Sequence, residues 1–244
     1  MKVEYLYHSG IVFELDESIL IIDYFQPENK SAVLVPEIER ILDTPKKIYV
    51  LSSHVHADHF DPVVLKWQQK HPEILYLLSS DIQSRVEGKM RNKVFFLKSG
   101  ETFSDDRICV KAFGSTDEGV SFYIQSEGWT LFHAGDLNNW HWNEESTEEE
   151  IRQSEDAYLH ELDRISAEVK KLDVLCFPID PRLGKDYMKG AVQFISRIDV
   201  NYFVPIHFSS GGFSDIAAFR SLAATVGTIS WSIQKECDYT IINR

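Results

Sequence analysis

The chain has 244 residues, 43% apolar and 26% charged, enough for one large domain with a substantial core. Acidic residues outnumber basic ones 38 to 25, and the formal charge of −13 disfavours a nucleic-acid backbone, whose binding needs Lys and Arg against its phosphates. The longest apolar runs, Ser18–Phe25 and Asp173–Ile179, are strand-length and polar-interrupted, so no membrane span is expected.

In chain order, Val3–Tyr7, Ile11–Leu15 and Ile19–Tyr24 are short apolar runs separated by turn residues, the pattern of an antiparallel meander. Pro36–Leu42 is a short helix closed by Asp43-Thr44-Pro45, and Lys47–Ser52 a buried strand. Asp61-Pro62 starts the next helix, with Asp as cap and Pro at its first position. Strand Ile74–Leu78, helix Ser80–Glu87 and strand Lys93–Leu97 follow. A second strand-rich block covers Glu101–Ser104, Arg107–Phe113, Val120–Ser126 and Trp129–His133. Trp142–Lys171 is charge-rich with apolar residues at helical spacing, and is expected to be mostly helical. Strand Asp173–Pro178, helix Lys189–Arg197, strand Tyr202–Ile206, helix Ser214–Ala224 and a terminal strand pair complete the order. No linker or internal repeat divides it, so residues 1–244 are expected to form one domain of two packed sheets with helices outside. MKVEYLYHSG lacks the apolar region of a secretory signal, and Cys109, Cys176 and Cys237 form no CxxC pattern; a reducing, cytoplasmic location is expected.

The densest chemistry lies in SSHVHADHFDP, residues 52–62, directly after a strand and before a helix cap. Histidines two apart on an extended segment face the same side, and can share one ion. Nitrogen plus carboxylate donors suit zinc, with manganese or iron as alternatives. A lone histidine is usually a satisfied structural residue. Three with an aspartate at this spacing form a ligand set.

His54-x-His56-x-Asp58-His59 resembles the signature of the metallo-β-lactamase-fold hydrolases, and the surrounding order is similar over nearly the whole chain. Asp23, at the end of LIIDYF, resembles the acid that supports the metal loop from behind in that superfamily. Phe132-His133-Ala134-Gly135-Asp136 resembles the strand end whose aspartate bridges two ions, and Val204-Pro205-Ile206-His207 the one whose histidine completes the second position. YHSGIVFE resembles the lactonase-like branch that includes ascorbate-6-phosphate lactonase. The resemblance implies an α+β, four-layer αββα sandwich holding one or two Zn2+ ions, with Mn2+ or Fe2+ as alternatives. The implied ligands are His54, His56, Asp58, His59, Asp136 and His207, and Asp58 also orients the nucleophile or accepts its proton.

The pattern breaks at Phe113-Gly114-Ser115-Thr116-Asp117, where Ser115 occupies the position of a further ligand histidine. Three arrangements are open: water or substrate fills the position, Asp117 reaches in with oxygen, or only the second position is filled. His8, His133 and His141 are other substitutes by residue type, although His133, on the strand before Asp136, suits a core or supporting place better. Trp140 and His141 lie in an aromatic, amide-rich loop expected to wall the pocket and touch substrate. Arg182 either holds a substrate phosphate or carboxylate or pairs with Asp180.

The expected function is metal-dependent hydrolysis of a small anionic metabolite, a lactone or phosphoester. The alternatives are a phosphodiesterase or nuclease of the same fold, or a binding protein without turnover. The expected partner is a small-molecule substrate, with no nucleic acid and no membrane; homo-oligomerisation is left open.

Overall fold

Short apolar runs separated by turns build the first sheet. The computed structural model describes residues 1–88, 90, 93–208 and 212–244. In it β1 (Lys2–Tyr5), β2 (Ile11–Glu14) and β3 (Ser18–Ile22) pair antiparallel, as the meander predicts. β4 (Lys47–Ser52), β5 (Leu75–Ser79) and β6 (Val94–Leu97) extend the sheet in parallel from β3. Along β3 and β4, Leu20, Ile22, Tyr49 and Leu51 enter the core between the sheets, while Ile19, Ile21, Ile48 and Val50 face a second cluster on the outside. A strand buried on both faces needs both sets, and that is why these runs read as continuously apolar.

The outer cluster is covered by α1 (Ser31–Leu42) through Leu34, Ile38, Ile41 and Leu42. This helix starts five residues before the expected Pro36. Pro36 lies inside it, at the cost of one amide donor. Asp61 caps the next segment by accepting from Val63 N at 2.9 Å, but Pro62–Gln69 winds as a 3-10 helix, as does Ser80–Arg85.

The second sheet contains β7 (Thr102–Ser104), β8 (Ile108–Phe113), β9 (Ser121–Ser126) and β10 (Trp129–His133), all antiparallel. β11 (Lys171–Pro178) and β12 (Asp199–Ile206) then join β10 in parallel. The charge-rich segment becomes helical only from α2 (Glu148–Glu168), where Thr147 and Glu150 form a reciprocal capping box. Tyr158, Leu162 and Ile165 of α2 and Phe194 of α3 (Lys189–Ile195) are fully buried, each worth roughly 1.5–3 kcal/mol of transfer free energy. Tyr158 Oη donates to Gly190 O at 2.7 Å and ties the two helices together. After α4 (Phe213–Thr225), the last two strands do not pair with each other as expected. β13 (Ile229–Ser230) adds in parallel to β12, and β14 (Asp238–Ile241) crosses to pair with β1.

The result is two seven-stranded mixed sheets, ordered β14-β1-β2-β3-β4-β5-β6 and β13-β12-β11-β10-β9-β8-β7, with helices outside. β3, β4, β10, β11 and β12 end along one seam. Backbone bonds cross that seam from Val120 N to Ser53 O at 2.9 Å and from His207 N to His8 O at 3.1 Å. Carboxyl ends of parallel strands are where such folds display ligand-binding residues.

Candidate metal centre

Asp23, Ser53-His54, Asp136, Asp180 and His207 each follow one of these strand ends within three residues. Asp23 and His207 hold left-handed backbone, with φ of 51° and 61°, as does His8 at 55°. Such values are uncommon for residues other than glycine and are sustained only where surrounding contacts impose them.

Asp136 sits at the middle. Its Oδ2 lies 3.5 Å from His54 Nε2, while Oδ1 lies 3.0 Å from His59 Nε2 and 3.4 Å from His207 Nε2. His54 Nε2 in turn lies 3.0 Å from His56 Nδ1. The carboxylate thus presents one oxygen to the His54–His56 pair and the other to the His59–His207 pair. His59 Nε2 and Asp136 Oδ1 are buried, and neither makes a hydrogen bond despite their separation. Buried polar atoms of this kind need an explanation, and a bound cation between them supplies one.

The outward nitrogen of each buried imidazole is held. Asp23, fully buried, accepts from Ser53 N, from Ser53 Oγ and from His59 Nδ1, each at 2.7 Å. With its hydroxyl hydrogen given to Asp23, Ser53 Oγ is left to accept from His54 Nδ1 at 3.0 Å. Asp180 Oδ2 accepts from His207 Nδ1 at 2.9 Å. These bonds place the lone pairs of His54, His59 and His207 on Nε2, facing Asp136, the tautomer that metal ligation requires.

The charges follow. Burial pulls the His59 pKa down, but Asp136 and Asp23 outweigh it and push it up to about 10. Burial opposes ionisation of Asp136, yet His59 and His207 hold its carboxyl far below the usual range. A proton shared in this way is what a divalent ion displaces on binding.

Asp58 lies at the rim, where its Oδ2 meets His8 Nε2 at 3.2 Å. One donor atom each from His8, Asp58, His59 and His207 fall within 4.8 Å of one another. Despite partial burial, the hydrogen bond with His8 and the charge on His59 keep the Asp58 carboxyl well below its ordinary pKa. An acid so easily ionised suits orienting a nucleophile and compensating charge better than storing a proton near neutrality.

The structure sorts the remaining candidates. Ser115 Oγ accepts from Asp117 N at 3.3 Å. Asp117 Oδ2 lies 4.0 Å from His56 Nδ1, and His56, Asp117 and Asp136 form a donor group within 4.8 Å. His133 is buried, paired with Ser9 O at 2.9 Å, and stays in the core. His141 does not wall the pocket: it is buried, turned to Asp186 O at 3.2 Å. Its neighbour Trp140 does, donating from Nε1 to Asp136 O at 2.8 Å, with its ring 5.6 Å from that of His207.

The cleft beside the cluster encloses about 540 Å³, and its walls include His56, Asp58, Asp117, Asp136, Trp140, Trp142, Arg182 and His207. Among the described residues that line the cleft, Arg182 is the one Arg or Lys. It pairs with Asp180, as one alternative holds: Nε and Nη2 engage the Asp180 carboxylate, and its guanidinium, half exposed, lies 5.9 Å from the Trp142 ring. Asp180, held down to about pKa 2 against burial by His207 and Arg182, therefore serves the cluster and the cleft at once. A larger depression of about 830 Å³ around Asp43, Lys46 and Arg107 contains none of the expected site residues.

Sequence reasoning missed three contributors. Ser53 was hidden as an ordinary strand-end serine, Asp180 was weighed only as a partner for Arg182, and His8 only as a substitute ligand. Each has a partner distant in sequence: Ser53 in Asp23, Asp180 in His207 and His8 in Asp58.

No protein-family model matches the chain. It is similar to a UPF0173 metal-dependent hydrolase of Alkaliphilus metalliredigens, 23% identical over 223 residues and 86% of each chain. A UPF0173 metal-dependent hydrolase of Thermococcus kodakarensis is 25% identical over 146 residues, a match spanning 56% of this chain and 61% of that relative. Among solved structures, the metallo-β-lactamase fold protein YhfI of Bacillus subtilis superposes with a TM-score of 0.67 at 14% identity over 98% of both chains. CmlA of Streptomyces venezuelae, a diiron β-hydroxylase, superposes with a TM-score of 0.62 at 11% identity over 94% of this chain and 52% of its own. The expectation of a metal-dependent hydrolase agrees with the description of both relatives, and the chain has the metallo-β-lactamase fold.

Proposed function

We propose that the protein is a metal-dependent hydrolase acting on a small anionic metabolite, a lactone or phosphoester, in the manner of the lactonase-like branch its opening residues resemble. The observation that carries this reading is the division of Asp136, with Oδ2 toward His54 and Oδ1 toward His59 and His207. His54, His56 and Asp136 would hold a first ion, and Asp58, His59, Asp136 and His207 a second, with Zn2+ the first expectation and Mn2+ or Fe2+ the alternatives. Ions bound there supply water activation and Lewis-acid stabilisation of charge developing on oxygen.

The chain's own residues do the rest. Asp58 orients the attacking water from the rim. Arg182 receives the substrate's carboxylate or phosphate from its exposed side while Asp180 keeps it in place. Trp140 and Trp142, stacked with ring centres 6.1 Å apart, form an apolar wall that limits water. Arg182 at the cleft sets a preference for small anions over polymers in a chain of charge −13. Three free thiols suit a reducing, cytoplasmic setting. No helix among the described residues is long and apolar enough to cross a membrane.

The test is metal analysis of protein purified without chelator, followed by a screen of lactones, phosphodiesters and phosphorylated sugars. Bound metal with hydrolysis that chelation abolishes and metal restores is the expected result. Protein that takes up no divalent ion, or that is metal-loaded yet hydrolyses none of these classes, overturns the reading.

A further inference from the structure

The departure at Ser115 leaves the first ion position with His54, His56 and Asp136, one donor short of a closed four-coordinate set. Two tethers bring another donor to that place. Val120 N bonds to Ser53 O at 2.9 Å, and Gly119, at φ 72°, passes so near Ser53 O and His54 that no Cβ fits. On the other side, Thr116 Oγ1 donates to Asn138 O at 2.5 Å, and Asn138 N donates back to Thr116 Oγ1 at 2.9 Å. The loop is thereby bonded both to the strand end carrying His54 and to the loop following Asp136. Asp117 stands between these anchors, its Oδ2 4.0 Å from His56 Nδ1 and its donor group with His56 and Asp136 within 4.8 Å.

Ligand bonds of about 2.0–2.1 Å set tetrahedral edges at roughly 3.3 Å. The separations of 3.0 Å for His54–His56 and 3.5 Å for His54–Asp136 bracket that edge. The 4.0 Å to Asp117 is longer, and the Asp117 side chain is half-exposed at the mouth of the cleft.

We propose that Asp117 replaces the missing imidazole as a ligand of the first ion. This rests on the metal-centre reading above and deepens it. The centre then carries three carboxylates, Asp58, Asp117 and Asp136, and its first position is richer in oxygen than an all-histidine set. Oxygen donors favour harder ions, so that position selects Mn2+ or Fe2+ over Zn2+ more strongly than an imidazole would allow.

The test is titration of chelator-stripped protein with Mn2+, following free ion by electron paramagnetic resonance and binding heat by calorimetry, for the wild type, Asp117→Asn and Asp117→Ser. Circular dichroism verifies that each variant is folded. The wild type is expected to bind two Mn2+, and both variants to keep one while weakening the other at least tenfold. Adding Ser115→His to Asp117→Asn is expected to restore two-ion binding for Zn2+ with at least a tenfold shift of preference away from Mn2+. Two Mn2+ bound unchanged by either substitution overturns the role of Asp117 alone. One ion in wild type and folded variants alike overturns it too. No ion bound by wild type overturns the metal centre as a whole.

Discussion

Asp23→Asn is the sharpest probe of how the centre is supported, because it changes one donor pattern and almost no volume. Asparagine also tolerates the left-handed backbone at this position, φ 51°, so the substitution keeps the local fold. Asp23 Oδ1 accepts from Ser53 N, and Oδ2 accepts from both Ser53 Oγ and His59 Nδ1, all at 2.7 Å. The amide can keep its oxygen toward Ser53 N, but then its NH2 group faces His59 Nδ1. Two donors cannot share that bond. His59 is driven to carry its proton on Nε2, the nitrogen 3.0 Å from Asp136 Oδ1 that a metal needs free. Hydrogen bonds to a charged group are worth about 1.5–3 kcal/mol, and lost support of a ligand histidine costs roughly 10–100-fold in metal affinity, or about 1.4–2.7 kcal/mol. The expected outcome is a loss of that size for the second ion, measured by competition with a chromophoric chelator on protein shown by circular dichroism to be folded. An affinity within twofold of wild type would refute the reasoning, since it would mean that the His59 tautomer does not depend on Asp23.

Other perturbations reach different links. Arg182→Ala is expected to raise KM for an anionic substrate roughly 10–100-fold, for about 1.5–3 kcal/mol of charged hydrogen bonding, with a much smaller change in kcat; an unchanged KM removes Arg182 from substrate recognition. Gly119→Ala puts a Cβ against Ser53 O and His54 at positive φ, and is expected to cost on the order of 3 kcal/mol in urea unfolding. A loss below 0.5 kcal/mol would show that the loop is not pinned there. Burial raises the Glu4 pKa to about 7, against the lowering by Lys2 and with a further rise from Glu37. A folded-state pKa above the unfolded one gives stability that is full below about pH 4.5 and lost as pH rises through about 7. Glu4→Gln is therefore expected to gain on the order of 3 kcal/mol relative to wild type between pH 4 and pH 8 in urea titrations. An equal difference at both pH values would contradict it.

The local elements were legible because their signals are local. Lys47–Ser52 and Trp129–His133 carry their strand identity in their own apolar pattern, and both appear with the expected boundaries. The Asp61-Pro62 cap is likewise a short-range device. Pro36 misleads as a helix start, since its missing amide is offset by packing of Leu34 and Ile38 that no window around the proline shows. Nearness in sequence suggests that the final strands pair with each other, whereas each finds an open edge on a different sheet, β13 beside β12 and β14 beside β1.

The same division holds for the centre. By itself the sequence determined the donor inventory of residues 54–59, the strand-end aspartate and histidine at 136 and 207, and the serine where an imidazole was expected. Only the tertiary structure decided which nitrogen faces which oxygen. That depends on Ser53 joining Asp23 to His54, on Asp180 serving His207 and Arg182 together, and on His141 turning inward while Trp140 lines the cleft. A ligand type is a property of one residue and can be read from its letter. A tautomer or a cage edge is a property of several residues brought within a few ångströms by different strands, and it exists only once those strands have packed.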